Sequence, residues 1–209
     1  MILAVLAVPG SLLWLNSNAS VRMFALGALT VGAAWAVFNA IMFGSGSINH
    51  RFGAWGEEAT HDELKKLRKH GWNLVQGILL TRGDVDAIVV GPGGVLALEV
   101  KWINDRPRTN GQVLRIQTAY AGQAAANARS VGLLLKHSGV DVKVRPIVVV
   151  WGQGSSAIAT SDQIHNGVPI VQGPDLVNWL LQLPKALDDD KRNLVRTKLD
   201  ERLAVQANG

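Results

Sequence analysis

Residues 83–102 read GDVDAIVVGPGGVLALEVKW, two apolar runs on either side of a glycine–proline turn. The runs VDAIVV (85–90) and VLALEVKW (95–102) predict paired strands, with GPGG (91–94) as the tight hairpin between them. Side chains alternate along a strand. Glu99 and Lys101 therefore share a face with Val95 and Ala97, while Leu96, Leu98 and Val100 take the other. Apolar residues on both faces predict a strand buried on both sides. A carboxylate and an ammonium at such a place need partners, because lone buried charge is costly. The hairpin also brings Asp86 from the neighbouring strand towards Glu99.

The flanking segments extend this pattern. AWGEEATHDELKKLRKH (54–70) predicts an amphipathic helix ending at Gly71, with Trp55, Ala59, Leu64 and Leu67 as its apolar stripe. NLVQGILL (73–80) predicts a first strand, and TRGD (81–84) the turn after it. Beyond Trp102, INDRPRTNG (103–111) is a basic, turn-rich loop, QVLRI (112–116) a short strand, and 117–136 a helix by composition. VKVRPIVVVW (142–151) predicts a central strand and VPIV (168–171) another. A helix follows from Pro174, and 184–205 is a charged last helix. The order α-β-β-β-α-β, then β-α-α, predicts an α/β fold around a mixed sheet.

The whole chain is 209 residues, 48% hydrophobic and free of cysteine. That composition excludes a disordered chain, a disulfide scaffold and a Cys-ligated metal or iron–sulfur protein. Charge divides the chain near residue 50. Residues 1–50 carry one formal charge, Arg22, whereas 51–209 hold 20 of the 21 Lys+Arg and all 16 Asp+Glu, for a net +4. Residues 23–43 run 21 positions without charge, roughly 30 Å as a helix and enough to cross a bilayer. Residues 2–15 are a shorter apolar run broken at Pro9-Gly10, readable as a first span or as a re-entrant or interfacial segment. The expectation is one or two transmembrane helices as an anchor in residues 1–50, with GSGS (44–47) as a linker to a domain at 51–209. Arg51, Lys65, Lys66, Arg68 and Lys69 outweigh Arg22, which places that domain on the cytoplasmic side of the cell membrane.

Two close carboxylates repel, and a hard divalent cation relieves the repulsion. Mg²⁺ is content with one or two carboxylates plus waters and leaves room for a phosphate oxygen. A neighbouring lysine can orient water and offset charge on the scissile phosphate. Asp86, Glu99 and Lys101 thus read as a site for metal-assisted phosphodiester hydrolysis, with Mg²⁺ or Mn²⁺ as cofactor. The competing reading of E-x-K is an ion pair with no chemistry.

GDVDAIVVGPGGVLALEVKW, preceded by GAWGEE (53–58), resembles the nuclease-related domain, NERD, of the PD-(D/E)xK, restriction-endonuclease-like nucleases. The shared pattern is Gly-x-x-Gly-Glu, then hydrophobic-Asp-x-hydrophobic, a glycine-containing turn, and Glu-hydrophobic-Lys. It covers roughly residues 53–135. The resemblance implies a restriction-endonuclease-like αβββαβ core with Asp86 and Glu99 as metal ligands. It also implies that Lys101 is the catalytic lysine, Glu57 a further acidic member, and Gln123 the glutamine often found on the following helix. Ala87 stands where the family often has His, and Trp102 where it often has Asn. DNA is the substrate the superfamily implies.

Arg106 and Arg108 are candidates for backbone phosphate contacts. His61 lies one helical turn after Glu57. The run Lys65, Lys66, Arg68, Lys69 suits anionic lipid beside the anchor. Two rivals to the nuclease stand beside it: a catalytically silent module that binds nucleic acid or a partner at the membrane, and a membrane scaffold with a structural Glu99–Lys101 pair.

Overall fold

The computed structural model describes residues 19–44, 47–80, 83–159 and 163–207. The chain divides into two units, Met1–Arg51 and Phe52–Gly209. In the first, helix α1 (Ala19–Gly44) exposes Met23, Phe24, Val31, Trp35 and Phe38. Thr30 and Asn39 turn their polar groups back onto the carbonyls of Leu26 and Trp35. Among the described residues no helix is long and apolar enough to cross a membrane. The transmembrane helices expected from the sequence are therefore not supported. Gly27, Thr30, Gly32 and Asn39 dilute the apolar run. The expected first span at 2–15 and linker residues 45–46 lie outside the described residues.

The second unit is built on a six-stranded mixed sheet in the order β1-β4-β5-β6-β8-β7. The strands are β1 (Asn73–Val75), β4 (Ala87–Gly91), β5 (Gly94–Trp102), β6 (Val144–Trp151), β7 (Ile164–His165) and β8 (Val168–Gln172). A separate pair, β2 (Ile78–Leu80) and β3 (Gly83–Val85), completes the strands. β5 lies centrally, antiparallel to β4 and parallel to β6, and β6 is parallel to β8. α/β order and mixed sheet agree with the expectation.

One face of the sheet packs Leu96, Leu98, Val100, Ala87 and Val89 against Leu64 and Leu67 of the first-helix region and Leu176 and Leu180 of α5 (Leu176–Leu181), the helix after the short α4 (Ser155–Ile158). On the other face, α3 (Asn110–His137) lays Ala121, Ala124, Ala128, Val131 and Leu135 over the sheet. Val195 and Leu199 of α6 (Asp189–Ala207) join them there. Burying apolar residues on both faces of β5 is what its sequence demands, because two α-layers must cover it.

Two local readings differ from expectation. QVLRI is not a strand but the first turns of α3, since Thr109 in extended backbone accepts the Gln112 N–H and starts the helix at Asn110. The hairpin of 73–80 with 83–91 is broken in the middle. Its register is the same on both sides of the break, so Gly77 stands opposite Asp86. Gly77 has φ +74°, a left-handed conformation that glycine takes without a steric cost, and Asp86 forms a bend. This interruption positions the site.

Candidate active site

β4 stops pairing with β5 at Ala87, opposite Leu98. The next residue back, Asp86, is out of the ladder, and its Oδ2 accepts the backbone N–H of Val100 at 2.6 Å. A carboxylate thus caps the edge of β5 where a strand would have continued. Burial lifts Asp86 above the ordinary carboxylate range, with Asp84 adding to the rise and the Val100 N–H and Lys101 opposing it.

Glu99 and Lys101 lie on the α3 face of β5, as alternation requires. The Glu99 side chain is 1% exposed and that of Lys101 is 26% exposed, with Lys101 Nζ 2.5 Å from Glu99 Oε1. That ion pair is the polar contact of the buried Oε1, which has no further hydrogen-bond partner. Glu99 Oε2 accepts Nδ2 of Asn127 at 2.8 Å. Burial, with Asp86 as the next contributor, pushes Glu99 up to about 7 against the pull of Lys101 and Asn127. For Lys101, burial works downward, but Glu99 and Asp86 outweigh it and hold the ammonium above its usual value. Its tip lies 5.7 Å from the ring centre of Tyr120, within cation–π range.

Glu57 reaches this edge from α2 (Ser47–Lys65), on the opposite layer. Gly56 makes the approach possible, since a Cβ there would stand 3.2 Å from Val100 Cγ1. Thr60 fastens the same helix by accepting Trp151 Nε1–H at 2.8 Å and donating to the Gly56 carbonyl at 2.7 Å. Glu57 is exposed, yet burial of its surroundings and then Asp86 and Asp84 raise its pKa, against Lys101. It belongs electrostatically to the acidic edge. His61, one turn on, shares a shallow groove with Glu57, Asp62 and Gln76.

The remaining candidates lie further out. Gln123 is exposed, and it is Asn127, one turn later on α3, that bonds to Glu99. Arg106 and Arg108 are both exposed on the loop after β5. Lys65 and Lys66 pair within their own helix with Asp62 and Glu63 at 2.8 and 2.5 Å. Trp55 and Trp102 meet edge to face, ring centres 6.2 Å apart, with Trp55 half exposed.

Asn127 and Tyr120 are site residues that sequence reasoning missed. The signal for Asn127 was present. It is a polar residue on the stripe of Ala121, Ala124, Ala128 and Val131, and a buried amide on a helix needs a partner on the sheet beneath.

The donor set can be matched to a metal. Among the described residues no three or more His, Cys, Asp or Glu side chains gather to hold one. Asp86 and Glu99 supply two carboxylates, with the Lys101 ammonium 2.5 Å from the buried Glu99 Oε1. Two hard oxygens suit Mg²⁺ or Mn²⁺, which keep their other positions for water or phosphate.

Residues 52–151 match the family model described as the nuclease-related domain, NERD. That range contains α2 from its second turn, the broken hairpin, β5, α3 and β6, and so every residue of the acidic edge. No curated protein and no solved structure matches the chain.

Proposed function

We propose that this protein is a divalent-metal-dependent nuclease that hydrolyses phosphodiester bonds in DNA at the carboxyl end of β5. The observation that carries the reading is the buried Glu99 Oε1, paired only by the Lys101 ammonium beside a second carboxylate. An arrangement chosen for stability alone would be better served by apolar side chains. Membership of residues 52–151 in a nuclease-related family supports the same class of chemistry.

In this reading Asp86 and Glu99 would hold Mg²⁺ or Mn²⁺. The bound ion supplies Lewis-acid activation of water and of the scissile phosphate. In the metal-free fold Glu99 and Asp86 hold Lys101 above its usual value, and in this reading it would serve as a cation and hydrogen-bond donor. Its three N–H groups orient the attacking water and stabilise charge building on the phosphate oxygens. Glu57 completes the acidic edge from the other side. Arg106 and Arg108, exposed on the loop after β5, would take backbone phosphates flanking the scissile one.

We also propose that the first fifty residues attach the chain to the cell membrane, with 51–209 on the cytoplasmic face. The support is the charge asymmetry of the sequence and the exposed apolar side chains of α1. Sedimentation of the full chain with membranes, before any alkaline wash, is the expected result, and its recovery in the supernatant would refute attachment.

The activity is tested with supercoiled, linear and single-stranded DNA, using wild type, Glu99→Gln and Lys101→Ala. Cleavage by wild type and its loss in both variants is expected. A folded protein that binds DNA but cuts none of these forms would favour the silent binding module.

A further inference from the structure

The carboxyl end of β5 carries an aromatic pair that the chemistry of the acidic edge does not use. Trp102 follows Lys101 directly, and Trp55 precedes Glu57 by two residues. Their rings meet edge to face, centres 6.2 Å apart. Trp102 is held by its own Nε1–H, which donates to Asn104 Oδ1 at 2.6 Å. Trp55 is 50% exposed, so part of a large aromatic surface faces solvent at the rim of the site.

The backbone ties this pair to the acidic edge. Gly56 seats on β5, where a Cβ would stand 3.2 Å from Val100 Cγ1 and 3.8 Å from Trp102 Cε3. Helical neighbours lie about 100° apart, so Trp55 and Glu57 flank that contact on its two sides. Along β5, successive side chains leave on opposite faces, Lys101 towards Tyr120 of α3 and Trp102 towards α2. A ligand that meets both must bend over the end of the strand.

One form of nucleic acid does this readily. A duplex is stiff over about 150 base pairs, and its bases are stacked inside it. An unpaired strand bends, and each of its bases has a face to lay on an aromatic ring. Arg106 and Arg108, exposed on the loop that follows Trp102, add the positive charge that suits its phosphates.

We propose that Trp55, backed by Trp102, is a stacking platform for an unpaired base, and that the substrate is single-stranded or locally opened DNA. This rests on the reading of the acidic edge as a nuclease site.

The test is fluorescence anisotropy with the full chain, as wild type, Trp55→Ala and Trp55→Phe. The probes are a labelled oligothymidylate, the same strand with abasic sugars, and a duplex of equal length, all phosphorothioate-linked to survive Mg²⁺. Wild type should bind the oligothymidylate most tightly. Trp55→Ala should weaken that binding by about tenfold, the scale of one lost stacking side chain, and leave the other two probes unchanged. Trp55→Phe, which keeps a ring, should retain most of the affinity. Folded Trp55→Ala that binds all three probes as wild type does, or weakens equally on all three, overturns the platform and leaves the nuclease reading standing. Wild type that binds none of them overturns the nuclease reading itself. If Trp55→Ala instead loses sedimentation with phosphatidylglycerol vesicles while keeping the oligothymidylate, Trp55 belongs to a lipid surface and the proposal falls. Should Trp55→Ala not melt cooperatively, photocrosslinking of wild type to an iodouracil-substituted single strand decides the matter. A crosslink on Trp55 supports the platform, and crosslinks confined to other segments overturn it.

Discussion

The two halves of β5 differ although they share one strand and one parallel neighbour. From Val95 to Leu98 the strand is paired on both edges, by β4 and by β6, and every side chain is apolar. From Glu99 to Trp102 β6 continues, but β4 has ended, and a carboxylate takes the place of its next residue. The amino half is core. The carboxyl half is a site made by stopping one neighbouring strand early. An interrupted hairpin, with Gly77 opposite Asp86, is how the chain stops it.

The largest effects should separate the halves by kind. Glu99→Gln should cut DNA cleavage by roughly a thousandfold or more while the protein stays folded. Leu98→Ala, at a fully buried position, should instead cost about 3 kcal/mol of stability and leave the cleavage rate of the folded fraction nearly unchanged. Parallel denaturant melts and cleavage assays check both. A Leu98 variant that loses activity without losing stability would dissolve the distinction.

Next in size is a pH dependence confined to the carboxyl half. Glu99 has an ordinary value of 4.5 and is pushed up to about 7 in the metal-free fold. Between those values the folded chain keeps a proton that the unfolded chain has released. The stability this gives is full below 4.5 and is lost as pH rises through 7, on the order of 3 kcal/mol in all. Asp86 and Glu57 are raised too and act in the same direction. The melting temperature in EDTA should therefore fall from pH 5 to pH 8, and Glu99→Gln should flatten most of that slope.

A smaller effect tests the strand cap. Asp86→Asn keeps an oxygen for the Val100 N–H, whereas Asp86→Leu leaves that donor unsatisfied. Both should abolish cleavage, but only the leucine variant should lose about 1–3 kcal/mol of stability. Equal melting curves would show that the cap carries no weight. Smallest of all is Gln123→Ala, an exposed position away from the Glu99 contact, which should change stability by less than about 0.5 kcal/mol.

How far the sequence revealed this follows from range. Alternation along 95–102 placed Glu99 and Lys101 on one face, and both β5 faces proved buried because their residues are apolar. Periodicity does not register where one partner strand ends, so the bend at Asp86 and the separate β2–β3 pair were not legible. QVLRI alternates like a strand but was overruled by the Thr109 cap five residues before its centre. Gln123 and Asn127 lie one turn apart on α3, and only their rotation against the sheet selects Asn127 as the partner of Glu99. The apolar leader read as a bilayer span by its lack of charge, which does not weigh the glycines and amides within it.

The most direct test of the site is cleavage of one supercoiled plasmid by the full chain, with Mg²⁺ and then with excess EDTA, beside Lys101→Ala. The account predicts nicking with Mg²⁺, none with EDTA, recovery when Mg²⁺ is restored, and none at any stage from the variant. Cleavage that persists in EDTA, or that Lys101→Ala performs as well as wild type, would contradict it.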